Sequence, residues 1–541
     1  VNQQQLIQTL QQAVQMHQLG QLSTAIGLYE VILSQMPAHF DALRLLGVAK
    51  MQLGHLDEAI ALMKKARGIQ PRSAELLGNL GLAYKNTGDF KLAQSTYEEA
   101  LRYAPKDLNT LLNLGTLWMM QGQPLQAVMV FQRAAAAHPT FALTHLQLGE
   151  ALLQGAQIQE AMDAFQTVLN RDEKSVDALM GLGRCMLQQG NLGEAADTLQ
   201  KAVTFHPQNP HAHNTLGQAF QRRHQYENAA EHFQKAADLD PTLAAASNNL
   251  GGALFEIASP AEAVTAYDKA LALDPTLTAG WMNRAIATYQ ADDLGESLQS
   301  LRKAQEQGGY ALAHAYETIL KHQQSPDQPL PDPGSWDHQE ARSIVESYVY
   351  LMEQAPNATC LARQRDIHSL AWNASQGEGL TLEFGVFFGH SIRYLASLTE
   401  DPVHGFDSFE GIPEGWFNEE AAGAYSTAGD VPPVPDNVHL HTGWFSDTLP
   451  PFVAKHPGPV RLVNIDCDIY SSTQCIFEHL GAQMGAGTIL VFDEYGFYPG
   501  WQEHEHKAFM EFLESSGHGH EILAYSLFSR QVVVRLTEAA S

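Results

Sequence analysis

Small and large apolar positions alternate along the first 311 residues with a fixed period of 34, counted without a gap from Leu6. Position 8 of each unit is small: Ala13, Gly47, Gly81, Gly115, Gly149, Gly183, Gly217, Gly251 and Ala285. Position 20 is Ala25, Ala59, Ala93, Ala127, Ala161, Ala195, Ala229, Ala263 and then Ser297. Position 24 is large: Tyr29, Met63, Tyr97, Phe131, Phe165, Leu199, Phe233, Tyr267 and Leu301. Prolines such as Pro37, Pro71, Pro105 and Pro139 close most units. The spacing predicts two helices per unit. Small residues let them approach, the large one fills the gap, and proline stops the second. Tyr310–His322 predicts one more helix that caps the array.

From Leu380 onward the period changes. Short apolar runs at about 380–385, 403–407, 437–442, 460–466, 487–493, 520–526 and 530–536 predict strands, separated by helical patterns. The last two form a hairpin around Leu527-Phe528-Ser529, and two helices, Glu340–Met352 and Thr359–Asn373, lead into the sheet. Between the halves, SPDQPLPDPGSWD at 325–337 reads as a stiff linker. The expected domains are therefore a solenoid over 1–324, the linker, and an α/β domain over 338–541.

The first half resembles the tetratricopeptide repeat, and nine units at one phase carry the resemblance. Such units stack into a superhelix with a concave face. Position 6 reads Leu45, Asn79, Asn113, Gln147, Gly181, Thr215, Asn249 and Asn283. A ladder of amides can hold an extended peptide backbone, and this one resembles the asparagine ladder in the repeats of O-linked N-acetylglucosamine transferases. The other account of the amides is a structural one, capping a neighbouring turn. The array is expected to bind a protein or peptide through this face, and self-association of the chain is the competing use.

Composition adds exclusions. A formal net charge of −28 argues against nucleic acid as a partner. Cys185, Cys360, Cys467 and Cys475 form no paired motif, so reduced thiols and a cytoplasmic location are expected, with no zinc site. No run has the length and hydropathy of a membrane span or a signal peptide, so no membrane partner is expected.

The chemistry concentrates in the strand-end loops. Leu380–Ser391, LTLEFGVFFGHS, reads as strand, glycine turn and helix, the first half of a βαβ unit, and the next strand ends at Asp407. Gly385-x-x-x-Gly389 lacks the dinucleotide spacing and suits a nucleoside without a pyrophosphate, such as S-adenosylmethionine. An acid at Asp407 can accept both ribose hydroxyls. Five parallel strands closed by an antiparallel hairpin correspond to the seven-stranded, Rossmann-like fold of class I methyltransferases.

EFGVFFGHS, DSFEGIP, Gly443–Pro450, Asp466-Cys-Asp468-Ile-Tyr470 and Asp493-Glu494-Tyr495 together resemble the macrocin O-methyltransferase family over roughly 380–536. That family methylates sugar hydroxyls, so the resemblance implies a sugar or glycan acceptor and magnesium assistance. Its acidic motifs place Asp468, Asp493 and Glu494 as metal ligands, with Asp466 a ligand or the general base and Asp468 also catalytic. Glu494 stands where the family has a second aspartate. On the cofactor side fall Glu383, Gly385 and Gly389 toward the methionine, Asp407 and Ser408 toward the ribose and adenosine, and Asp447 toward the adenine. Structural alternatives stay open: Asp466, Asp468 and Asp447 are also placed to cap helices, Phe409 to fill the core and Trp444 to pack under a helix. The segment 411–437 is expected to form part of an acceptor lid. His504 and His506 lie two apart on a helix and face different ways, and His439 and His441 read as edge residues. The competing function is a non-catalytic adaptor carrying a degenerate methyltransferase domain.

Overall fold

The computed structural model describes residues 3–257, 259–416 and 422–538. Contacts divide the chain into two compact units, Val1–Cys185 and Met186–Ser541.

The first unit is built of helix pairs such as Phe40–Gln52 with Leu56–Ile69, and Leu108–Met120 with Pro124–Ala137. The predicted pairing of small and large positions is what holds each pair. A Cβ on Gly115 would lie 2.4 Å from the Phe131 ring, and one on Gly149 would lie 2.7 Å from Phe165. Side chains of Ser73, Asp89 and Asp107 cap helix starts by accepting an N–H three residues on. Within each repeat the turn between the helices carries a left-handed residue at one register: Gly20, Gly54, Gly88 and Gly122, with φ of 73°, 80°, 80° and 67°. Ala156 takes the same place at φ 57°.

In the second unit that register continues with Gly190 at φ 81° and then His224 at φ 51°. The repeat helices run through Leu192–Phe205, Pro210–Arg222, Tyr226–Leu239 and onward to Tyr310–Gln324. The expected amide ladder is partly bridged between repeats: Asn249 donates to Asn214 at 3.0 Å and Asn283 to Asn248 at 3.3 Å. The segment after Gln324 contains a single 3-10 turn, Pro333–Ser335, before the helix Gln339–Gln354. One continuous apolar core includes Leu301 and Ile319 of the last repeats, Tyr348, and Leu382, Phe492 and Val534 of the sheet. His322 and the Tyr348 hydroxyl share a hydrogen bond of 2.8 Å beside it.

Among the described residues the sheet has eight strands: β1 (Thr359–Cys360), β2 (Leu380–Phe384), β3 (Val403–Asp407), β4 (Val438–Thr442), β5 (Val460–Ile465), β6 (Ile489–Phe492), β7 (Gly519–Tyr525) and β8 (Val532–Thr537). Their order is β1-β7-β8-β6-β5-β2-β3-β4, and β8 alone runs antiparallel to its neighbours. Seven strands are those predicted from the apolar runs. β1 is additional, formed where a helix was expected to begin; that helix starts only at Gln364. The central strands are buried on both faces, as a parallel sheet covered by helices requires. Chain order reverses between β2 and β5, the place where open α/β sheets bind ligands. Among the described residues no helix is long and apolar enough to cross a membrane.

Candidate active site

A cavity of 1280 Å³ opens at the carboxyl ends of β2, β3, β5 and β6. It is lined by Gly385–Phe388, Asp407, Ser408, Trp444, Asp466, Asp468, Asp493 and Glu494. These come from five separate loops, and the sheet order brings them together.

Gly385 is required by a close approach of backbone. At φ 88°, a Cβ there would fall 1.6 Å from the carbonyl oxygen of Asp466. The glycine therefore lets β2 and β5 end side by side, a role beyond the ligand approach expected of it. Gly389, at φ 75°, starts the helix His390–Ser397 and is not among the cavity-lining residues. Asp407 is committed to the glycine loop: its Oδ2 accepts the N–H of Val386 at 2.8 Å and of Phe387 at 2.7 Å, and its Oδ1 accepts that of Phe409 at 2.7 Å. Burial raises its carboxyl above the usual range despite those bonds.

Glu383 stands behind the loop, fully buried, and does not line the cavity. It accepts from Ser391 Oγ at 2.8 Å and from Asn464 Nδ2 at 3.2 Å, and Asn464 also contacts His368 at 3.1 Å. Burial pushes the Glu383 carboxyl up to about 8. Ser408 lines the cavity while its hydroxyl turns toward Gly411 O and Glu410 N. Asp447 lies in the first turn of Phe445–Lys455, outside the cavity lining, and that helix has no side-chain cap. Phe409 is core, 1% exposed. The insert after Gly411 lines the cavity through residues such as Ile412, Tyr425 and Asp430, while 417–421 lie outside the described residues.

The acids at the ends of β5 and β6 share one corner. Burial, reinforced by Asp493, Asp468, Glu383 and Glu505, holds Asp466 well above the usual carboxylate range. Asp468 sits in the left-handed region at φ 66°. Asp493 Oδ1 accepts from Gln364 Nε2 at 3.1 Å and also from Gln531 Nε2. Glu494 pairs with Arg530 at 3.3 Å. Among the described residues no group of three His, Cys, Asp or Glu side chains is arranged to hold a metal ion.

Several site residues lay outside the sequence expectations. Glu505 falls between the two discounted histidines and is 0% exposed. Its Oε2 accepts the Glu494 N–H at 3.1 Å, while Oε1 has no hydrogen-bond partner. Burial, with Asp468, Asp493 and Glu494 nearby, raises its carboxyl well above the usual range. Its signal was an acid on the apolar side of the helix Glu505–Ser516. Arg530, in the β7–β8 turn at φ 63°, had only its place in the hairpin. The repeat turns Gln188–Glu194 and Arg222–His224 also line the cavity, which no local pattern announced.

Family models for the tetratricopeptide repeat match residues 16–80, 51–114 and 152–219, and a second such model matches 214–278. A methyltransferase domain model matches 382–495, from β2 through β6 to Tyr495. The chain joins repeats to a methyltransferase-type domain. Solved structures similar to its repeats include MamA from Desulfovibrio magneticus RS-1, 24% identical, covering 32% of this chain and 97% of that one with a TM-score of 0.29. A tetratricopeptide repeat protein from Parabacteroides merdae is 17% identical, covering 46% and 99%, with a TM-score of 0.38. YrrB, described as a repeat protein with an unusual peptide-binding site, is 21% identical, covering 34% and 95%, with a TM-score of 0.29. No curated protein matches the chain.

Proposed function

We propose that the second half is an S-adenosylmethionine-dependent O-methyltransferase acting on a sugar or glycan hydroxyl. The observation that carries this reading is the convergence of the glycine loop, Asp407 and the β5 and β6 acids on one cavity. The residues suit the cofactor: 1280 Å³ exceeds the space one drug-sized ligand takes, about 300–1,000 Å³, so cofactor and acceptor fit together. In this reading the loop Gly385–Phe388, Asp407 and Gly443–Ser446, all of which line the cavity, hold the cofactor.

When bound, that cofactor supplies an electrophilic methyl carbon. The protein must then take a proton from a weakly nucleophilic hydroxyl. Asp466 is our choice of base, because it lines the cavity at the end of β5 beside Asp468. Asp468 lines the same corner and orients the hydroxyl. The magnesium implied by the macrocin resemblance belongs to the same proposal, but its donor set fits poorly as folded. Glu494 is held by Arg530, and one oxygen of Asp493 by two amides. The ion therefore has no step in the proposed chemistry. The concave face of the repeats is assigned to a protein or peptide, and the boundaries 1–324, 325–337 and 338–541 remain our working division.

Calorimetry of the full chain with S-adenosylhomocysteine tests the cofactor assignment, with micromolar binding expected. Transfer of labelled methyl to a panel of glycosides, with and without chelator, tests acceptor and ion. Absence of any binding overturns the reading.

A further inference from the structure

The seventh repeat lacks, at one turn position, the glycine that five other repeats carry. Its turn carries His224 in the left-handed conformation, where Gly20, Gly54, Gly88, Gly122 and Gly190 stand in other repeats. A side chain with a Cβ is disfavoured there, and such strain persists where the surroundings hold it in place. Ala156 shares the conformation but offers only a methyl group. His224 offers a ring, and the ring meets the glycine loop: its centroid is 5.4 Å from that of Phe387, edge to face. Phe387 is itself left-handed at φ 50°. Two neighbours repeat the contact. The Arg223 guanidinium lies 5.1 Å from the Phe388 ring centre, and Tyr226 stands edge-on to His390 at 4.7 Å. Both phenylalanines between the two glycines are thus met by this one turn.

The contact is dry. Burial pushes His224 down to about 4 and His390 down to about 3, so both rings are neutral and pack as aromatic bodies. Beside it, the turn of the sixth repeat brings Gln188 and Glu194 to the same cavity, and Asp430 Oδ2 of the insert lies 3.7 Å from where a Cβ on Gly193 would sit.

We infer that the seventh-repeat turn is a built part of the methyl-transfer site, with His224 and Tyr226 as positioning residues that hold the glycine loop in its cofactor-binding shape. The inference rests on the proposed cofactor assignment. The repeats then do two things: their concave face is available to a partner, and this one turn completes the enzyme. Loop residues with unfavourable backbone angles need such support, because cofactor binding otherwise has to supply the ordering energy.

The test uses the full chain, S-adenosylhomocysteine titration calorimetry and thermal unfolding. His224→Gly restores the residue that the other repeats use, so its melting temperature should equal or exceed that of the parent. Its affinity for S-adenosylhomocysteine should nevertheless fall at least tenfold. Tyr226→Ala should weaken binding similarly, and Tyr226→Phe, which keeps the ring on His390, should restore it. A purely structural turn would show the reverse, unchanged affinity with altered stability. Binding within twofold of the parent in both His224→Gly and Tyr226→Ala overturns the inference. Failure of the parent chain to bind S-adenosylhomocysteine is seen before any variant is made, and it removes the cofactor assignment and this inference together.

Discussion

Asp407 holds Phe387 by its backbone N–H at 2.7 Å, across the gap between the ends of β3 and β2. The acid expected to meet a ribose is therefore also the strut of the loop proposed to meet the rest of the cofactor. Three N–H groups converge on this one carboxylate.

The first prediction follows from that double duty. Hydrogen bonds to a charged group contribute about 1.5–3 kcal/mol each. Asp407→Ala should weaken S-adenosylhomocysteine binding more than tenfold and also lower the melting temperature. Asp407→Asn keeps one accepting oxygen and should lose less on both counts. Calorimetry and thermal unfolding of the two variants check this, and equal affinities in parent and Asp407→Ala would reduce the acid to a turn residue.

Arg530 faces Glu494 at 3.3 Å, with side chains 29% and 15% exposed. Removing the cation leaves a largely buried carboxylate without its counter-charge, which costs about 2 kcal/mol for a pair still partly in water. Arg530→Gln should be destabilised more at pH 8 than at pH 5, because burial raises the Glu494 carboxyl and protonation removes the uncompensated charge. Urea unfolding at the two pH values measures the difference.

Glu383 gives a pH dependence of opposite sign to that of an exposed ion pair. Its folded-state value of about 8 lies above the ordinary 4.5, so the folded state binds the proton more tightly. The stability it contributes is full below 4.5 and is lost as pH rises toward 8. Glu383→Gln cannot ionise and should lack this component. The stability of the variant relative to the parent should therefore rise between pH 5 and pH 8, by about 1.4 kcal/mol for each pH unit in which the folded chain holds the proton and the unfolded chain does not. A flat difference across that range would show the carboxyl to be ionised throughout.

Two glycines in the first unit should respond oppositely to alanine. A Cβ on Gly115 would stand 2.4 Å from the Phe131 ring, whereas one on Gly27, in the helix Leu22–Gln35, would meet nothing within 4 Å. Gly27→Ala should stabilise by about 0.5–1 kcal/mol through helix propensity. Gly115→Ala should destabilise by about 1–3 kcal/mol through overpacking. Equilibrium unfolding of both variants decides whether the small position is kept for packing.

The solenoid was legible because each repeat states its own contacts locally. Gly115 with Phe131 and Gly149 with Phe165 are each 16 residues apart and recur at one phase. The strands were equally plain, since apolar runs such as Leu380–Phe384 and Ile489–Phe492 are buried on both faces. The acids Asp466, Asp468 and Asp493 were singled out by the motifs of the family resemblance, and they line the cavity at the strand ends. What escaped depends on side chains meeting from distant segments. β1 exists only because Thr359 and Cys360 find Ala524 and Tyr525 of β7, far along the chain. Glu505 was passed over, although it sits on the apolar side of its helix, because its target at Glu494 comes from another element. Asp447 illustrates the reverse case: a motif position that suits adenine contact, yet lies outside the cavity lining.

The pairing of β1 with β7 also constrains how the chain is made. Repeat helices fold from neighbours in sequence, so they can form as they leave the ribosome. Thr359 and Cys360 must wait for Ala524 and Tyr525, which are synthesised long after them, before the sheet edge can close. Through that interval the edge of the sheet stays open, although the repeats are already complete. Chaperones that shield unpaired strands therefore bear on the folding of the sheet more than on that of the repeats.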